Sequence, residues 1–153
     1  MLEIDQSNMK FFIYTDGACK GNPGKGGFAY IVYDEMKEIW FEGHGTHEDT
    51  TNNKMELYAI IEALRVVNKN QPNSEIQVYS DSAYVVNCFL ENWIETWEKN
   101  GWKNKKKENV ANKEYWLTLN ELVKKTKVNF NRVKRSDKIL KKVDEKAKRA
   151  SKL

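Results

Sequence analysis

Apolar positions in the first third of the chain follow the spacing of strands, and only later that of helices. Lys10 to Asp16 (KFFIYTD) is a nearly unbroken apolar and aromatic run closed by an acid, the pattern of a central strand covered on both faces. Gly17 to Gly27 holds most of the glycine and a proline, which predicts a turn-rich loop leading into a second strand, Phe28 to Tyr33. After the polar connection Asp34 to Lys37, Glu38 to His44 predicts a third strand, and such short separations favour an antiparallel meander. From Asn53 the period changes: Leu57, Ile60, Ile61 and Leu64 recur at helical spacing until Gln71, Pro72 and Asn73 stop the helix. Ile76 to Ser80 is a further buried strand, closed by Asp81. Tyr84, Val85, Cys88, Phe89 and Leu90 mark a helix after it. Asn112 to Lys125 predicts a helix with Trp116, Leu119, Leu122 and Val123 as its apolar stripe, Val128 to Val133 a strand, and Lys138 to Lys152 a basic helix. Strands that first meander and then alternate with helices predict an α/β fold, a mixed sheet with helices on both faces.

An apolar share of 40% in 153 residues is enough for one core, so a single domain over residues 1–153 is expected, with 1–9 a loosely ordered extension. No apolar run approaches the ~20 residues that span a bilayer. The start MLEIDQSNMKFFIY lacks the order of a secretion signal, so a cytoplasmic protein with no membrane partner is expected. Cys19 and Cys88 are too few for a disulfide framework and form no CxxC pair; both read as reduced, small hydrophobes. His44 and His47 are the only histidines, which leaves little material for a histidine-rich metal site or a Ser-His-Asp triad. A bound metal must then be held by oxygen, which favours Mg²⁺ or Mn²⁺. The net charge of +4 is too small to name a partner. Its distribution says more, because the basic cluster Lys99 to Lys107 lies among tryptophans, as in a nucleic-acid groove.

Four acids stand where acids are least expected. Asp16 and Asp81 each follow a buried strand, and the exits of adjacent parallel strands are where open α/β sheets place ligands. Glu56 lies at the edge of its helix's apolar stripe, one turn before Ile60, although Asn53 with Glu56 three residues later also fits a capping box. Asp144 sits within the stripe of the last helix, one turn after Leu140. Converging carboxylates repel one another and lose hydration, so divalent cations are their natural compensation. A pair of such ions ~4 Å apart activates a water on one side of a phosphodiester and stabilises the leaving oxygen on the other.

Tyr14 to Ala29 (YTDGACKGNPGKGGFA), Thr51 to Leu57 (TNNKMEL), Tyr79 to Val85 (YSDSAYV) and Val143 to Ala150 (VDEKAKRA) resemble, in order and spacing, the signature blocks of type 1 ribonuclease H. The resemblance runs from about Lys10 to the C-terminus. It implies the ribonuclease H-like fold, a five-stranded mixed sheet with flanking helices, and a metal-binding and catalytic tetrad of Asp16, Glu56, Asp81 and Asp144. It implies two ions, Mg²⁺ or Mn²⁺, per active site with substrate bound, and endonucleolytic hydrolysis of the RNA strand of an RNA/DNA hybrid to 3′-hydroxyl and 5′-phosphate ends. In that scheme Asp16 bridges both ions, Glu56 and Asp81 serve the nucleophile side, Asp144 serves the other ion, and Glu56 senses the 2′-hydroxyl. Cys19, Asn22, Asn52 and Asn53 match positions facing the hybrid's minor groove. Thr51 and Asn112 match a pocket for a DNA phosphate, and Tyr84 and Trp93 the lining of the groove for the deoxyribose strand. Trp93 to Asn112 resembles the family's basic protrusion, whose lysines, here Lys99, Lys105, Lys106 and Lys107, grip the DNA backbone. A monomer with no obligate protein partner follows from it.

The chain departs from the family pattern in places. Ser136 stands roughly where many relatives carry a histidine in the loop before the last helix, with Asp137 or Lys138 as possible substitutes. Asp49 replaces a residue that is basic in some relatives beside the phosphate pocket, and Ala83 follows Asp81 and Ser82 where a polar side chain is common. Two alternatives stay open at this point: a hybrid-binding module with weak or lost catalysis, and the ribonuclease H domain of a reverse transcriptase. The start at Met1 and the basic protrusion favour a free-standing enzyme.

Overall fold

In a computed structural model that describes residues 9–153, the apolar runs form strands and helices in the expected order. β1 (Lys10–Gly21), β2 (Gly24–Tyr33) and β3 (Ile39–Thr50) make the antiparallel meander. They are followed by α1 (Asn52–Asn70), β4 (Glu75–Ser80), α2 (Ala83–Leu90), α3 (Trp93–Asn100), α4 (Lys113–Lys124), β5 (Lys127–Arg132) and α5 (Lys138–Ala150). The strand order is β3-β2-β1-β4-β5, with β4 parallel to both β1 and β5. Of the expected N-terminal extension, residues 1–8 lie outside the described residues; Met9 accepts a hydrogen bond from the Glu75 N–H, 2.8 Å, and so belongs to the sheet's entry.

The glycine-rich stretch corrects one expectation. Gly17 to Gly27 is not a loop: β1 and β2 continue through it as a hairpin, pairing Ala18 with Gly27, Cys19 with Gly26 and Gly21 with Gly24. Close approach explains two of these glycines. A Cβ on Gly17 would lie 2.6 Å from the backbone nitrogen of Glu56, and one on Gly27 would lie 2.4 Å from that of Ser151. Their missing side chains let α1 and α5 press against the hairpin from opposite sides. β3 likewise runs past its expected end at His44, to Thr50.

Strand alternation divides the core. Phe11, Ile13, Ile76 and Val78 turn to the α1 side and are fully buried with Met55, Ile60 and Leu64. Ala29 and Ile31 turn the other way and pack against Val143 and Ala147 of α5. Helices thus cover both faces, as the pattern predicts. Trp116 of α4, fully buried, meets the rings of Tyr84 at 5.3 Å, Trp97 at 5.7 Å and Phe89 at 6.0 Å, and Phe89 in turn stacks on Phe130 at 4.0 Å. The tryptophans of the 93–112 segment continue this aromatic layer, with Trp102 buried and Trp97 between Trp93 and Trp102. Among the described residues no helix is long and apolar enough to cross a membrane.

Candidate active site

The pairing of β1 with β4 sets Tyr14 opposite Tyr79, so Asp16 and Asp81, each two residues further on, leave neighbouring parallel strands side by side. α1 starts above this point. Its N-cap is Thr51, whose Oγ1 accepts from the Lys54 N–H at 3.2 Å, so the capping-box alternative for Glu56 does not hold. Glu56 is free to turn inward. One carboxylate oxygen from each of Asp16, Glu56 and Asp81 lies within 4.8 Å of the others. Asp144 joins from α5, its carboxylate beside that of Asp16 and 3.0 Å from Nζ of Lys148.

Asp16 and Glu56 are buried, at 5% and 9% exposure, and their titration reflects it. Burial pushes the Asp16 carboxyl up to about 7; a hydrogen bond with Glu56 eases this, while Asp144 and the charge of Asp81 add to it. Burial, then the adjacent Asp16, holds Glu56 well above the usual carboxylate range, against a hydrogen bond from the Gly17 backbone. Asp144 goes the other way: burial would raise it, but its hydrogen bonds with Asp16 and Lys148 outweigh that and lower it. Burial thus favours protons on Asp16 and Glu56, while Lys148 and Asp16 favour charge on Asp144.

Oε2 of Glu56 is buried with no hydrogen-bond partner. An all-oxygen donor set with such an orphaned acceptor suits a hard divalent ion, Mg²⁺ or Mn²⁺, and Asp16, Glu56 and Asp81 are the residues that could hold it. Because an ion binds only deprotonated carboxylates, half-saturating Mg²⁺ should fall as pH rises from about 5 to about 7, by up to ~10-fold per unit for each proton displaced, with the Asp16 contribution levelling off above that value. Calorimetry in buffers of different ionisation enthalpy reads both the affinity and the protons released. Affinity flat across that interval would mean that the buried acids are already ionised.

The cleft above the acids, about 780 Å³, is lined by Asp16, Glu56, Asp81 and Asp144, by Asn52 and Asn53, and by three cations the sequence reading missed: Arg132, Lys134 and Arg135. Arg135 Nε stands 3.4 Å from Oδ2 of Asp81. The signal for these cations was the basic run directly after β5, whose end neighbours that of β4.

The other candidate residues spread outward from this cleft. Asn22 Oδ1 accepts from the Asn52 N–H at 3.2 Å, tying the hairpin turn to α1, and Cys19 Sγ reaches the Thr50 carbonyl at 3.3 Å. Asn112 precedes α4 with a left-handed backbone (φ 61°) and borders a hollow of about 380 Å³ with Lys54, Lys113 and Tyr115. The Tyr84 hydroxyl accepts from Asn112 Nδ2 at 3.3 Å and from Trp116 Nε1 at 3.0 Å. Trp93 borders a separate hollow of about 320 Å³ with Trp97, Lys103 and Lys105. Lys99 is paired with Glu95 at 3.3 Å, while Lys105, Lys106 and Lys107 stand exposed on a turn.

The ribonuclease H (RNase H) family profile matches residues 8–152. Ribonuclease H of Syntrophomonas wolfei subsp. wolfei is 50% identical over 127 residues, covering 82% of this chain and 83% of its own. That of Acetivibrio thermocellus is 49% identical over 126 residues, 82% of each. In fold the chain is similar to LC11-RNase H1, crystallised in complex with RNA/DNA hybrid, with a TM-score of 0.74 at 24% identity over 93% of this chain and 96% of that one. With most of its length matched by the profile and by relatives of this identity, the chain belongs to the ribonuclease H family.

Proposed function

We propose that this protein hydrolyses the RNA strand of RNA/DNA hybrids endonucleolytically, leaving 3′-hydroxyl and 5′-phosphate ends, as a monomeric, single-domain enzyme of the cytoplasm. The observation that carries the reading is the meeting of Asp16, Glu56 and Asp81, one oxygen of each within 4.8 Å of the others, with Oε2 of Glu56 left without a hydrogen-bond partner. Bound Mg²⁺ or Mn²⁺, two ions with substrate, supplies activation of a water and stabilisation of the leaving oxygen. The chain's part is to hold its carboxylates where they are. Asp16, which Glu56 and Asp144 both adjoin, is central to the set and would serve both ions, with Glu56 and Asp81 serving the nucleophile side and Asp144 the other.

Asn52 and Asn53 at the lip of the cleft, with Asn22 and Cys19 beside them, offer short polar groups to a minor groove and its 2′-hydroxyls. Thr51 caps the helix that carries Lys54, and Lys54 and Asn112 border the hollow that would take a DNA phosphate. Tyr84, its hydroxyl already engaged, has its ring to offer to the deoxyribose strand, as does Trp93. The tips of Lys99, Lys105, Lys106 and Lys107 supply phosphate contacts.

Incubation of the protein and Mg²⁺ with labelled hybrid, double-stranded RNA and double-stranded DNA of one sequence tests the reading. RNA of the hybrid alone should be cut. Hybrid affinity should also fall with salt, and replacing Lys105, Lys106 and Lys107 together by Ala should lessen the slope of log K against log salt by roughly 0.9 for each phosphate no longer neutralised. Tight hybrid binding without cleavage, or equal cleavage of double-stranded RNA, would overturn it.

A further inference from the structure

Between β5 and α5 the chain makes a turn pinned at both ends: the Val133 N–H donates to the Ser80 carbonyl at 3.0 Å and the Asp137 N–H to that of Lys134 at 2.9 Å. From this turn Arg135 reaches over the cleft to Asp81. Neither of its neighbours competes for that role. The Asp137 carboxylate is spent capping α5, accepting from the Ile139 and Leu140 N–H groups at 2.9 and 3.0 Å, and Lys138 does not line the cleft.

The contact is of a particular kind. It is one long hydrogen bond, 3.4 Å, made by a side chain that is 93% exposed to a carboxylate that is 15% exposed. A pair of this sort is weakly held, and a divalent ion on Asp81 would displace it. The guanidinium keeps its charge at every accessible pH, so it moves no proton; what it does well is grip planar or tetrahedral oxyanions through its fork of N–H donors. Once turned off Asp81, it remains tethered by the pinned turn at the mouth of the same cleft, beside Arg132 and Lys134.

Resting on the nuclease reading above, we propose that Arg135 is a cation with two positions. In the free protein it neutralises Asp81 and competes with the metal for that carboxylate. With ion and hybrid bound, it transfers to a phosphate oxygen of the RNA strand next to the cut. Arg135 is then a substrate-binding residue that also sets the metal dependence of the site.

The test uses the whole protein and its Arg135→Ala and Arg135→Lys variants. Calorimetric titration with Mn²⁺ and no nucleic acid reads the first position, and multiple-turnover cleavage of a hybrid at saturating Mg²⁺ reads the second. Arg135→Ala should bind Mn²⁺ about 2- to 5-fold more tightly, because its competitor is gone. It should nevertheless show a KM for hybrid about 10-fold higher, with kcat changed less than KM. Arg135→Lys, a point charge without the fork, should fall between wild type and Ala in both measurements. Unchanged or weaker Mn²⁺ binding by Arg135→Ala, or tighter binding with an unchanged KM, overturns the proposal. A wild-type protein that fails to cut hybrid sinks the nuclease reading instead, whereas wild-type cleavage with both measurements unmoved in the Ala variant sinks Arg135 alone.

Discussion

Asp16→Asn should lower hybrid cleavage by at least about 10³-fold and, at the same time, make the metal-free protein more stable at neutral pH. The two effects have one origin. Asp16 is the buried member of the cluster in contact with both Glu56 and Asp144, so its charge is what the ions need and what the folded chain without ions tolerates least. Its carboxyl titrates at about 7 in the fold against an ordinary value of 3.8. A group whose value is raised by folding carries no penalty below about pH 4, costs progressively more as pH climbs toward 7, and costs a constant amount above. Asparagine resembles the protonated acid at every pH. The gain from Asp16→Asn should therefore be near zero at about pH 4 and plateau above about pH 7 at ~2–4 kcal/mol, the upper figure being the full shift and the lower allowing for proton sharing with Glu56. Saturating Mg²⁺ should narrow the gap by stabilising the wild type alone. Chemical denaturation at several pH values, with and without Mg²⁺, reads all of this. A variant that keeps its activity, or a stability difference that does not change with pH, would remove Asp16 from the metal site.

The main features of this site could be read from the sequence because chemistry and burial conflict there. An acid at the end of an all-apolar strand, as at Asp16 and Asp81, or bordering a helix's core-facing stripe, as at Asp144, costs free energy that a folded chain bears for a reason. Glu56 was harder, since its spacing from Asn53 imitates a capping box; Thr51 takes the cap, and only the packed helix reveals it. The hairpin from Gly17 to Gly27 was misread because glycine marks turns and close approaches alike, and what approaches here, α1 and α5, arrives from distant parts of the chain. The rim cations escaped notice for a similar reason. Lys134 and Arg135 in a basic run resemble any solvated face until β5 is paired beside β4 and the run hangs over Asp81. What stays illegible in one dimension is contact between segments whose local patterns are each complete without the other.

Gly17→Ala is expected to damage stability and catalysis together, from a position that carries no functional group. The added Cβ would lie 2.6 Å from the nitrogen of Glu56 and from the carbonyl carbon of Met55, and 2.7 Å from the Met55 Cβ. These are backbone atoms, or atoms fixed to backbone, and no change of rotamer relieves them. α1 must move away from β1, and Met55, fully buried behind the contact, resists. Overpacking of this kind costs ~1–3 kcal/mol. The same movement carries the Glu56 carboxylate away from Asp16, and a displacement approaching 1 Å at a reacting site costs on the order of 10²-fold in rate. Gly101→Ala is the proper comparison for stability. Its φ of +76° strains any side chain, but nothing lies within 4 Å of its Cβ, so it should cost only ~1 kcal/mol. Thermal melts of both variants, with cleavage rates and Mg²⁺ half-saturation measured for Gly17→Ala well below its melting temperature, separate the two costs. A folded Gly17→Ala protein with wild-type rate and metal affinity would show that the α1–β1 approach does not set the geometry of the acids, and that Glu56 adjusts to its neighbours instead of being placed by them.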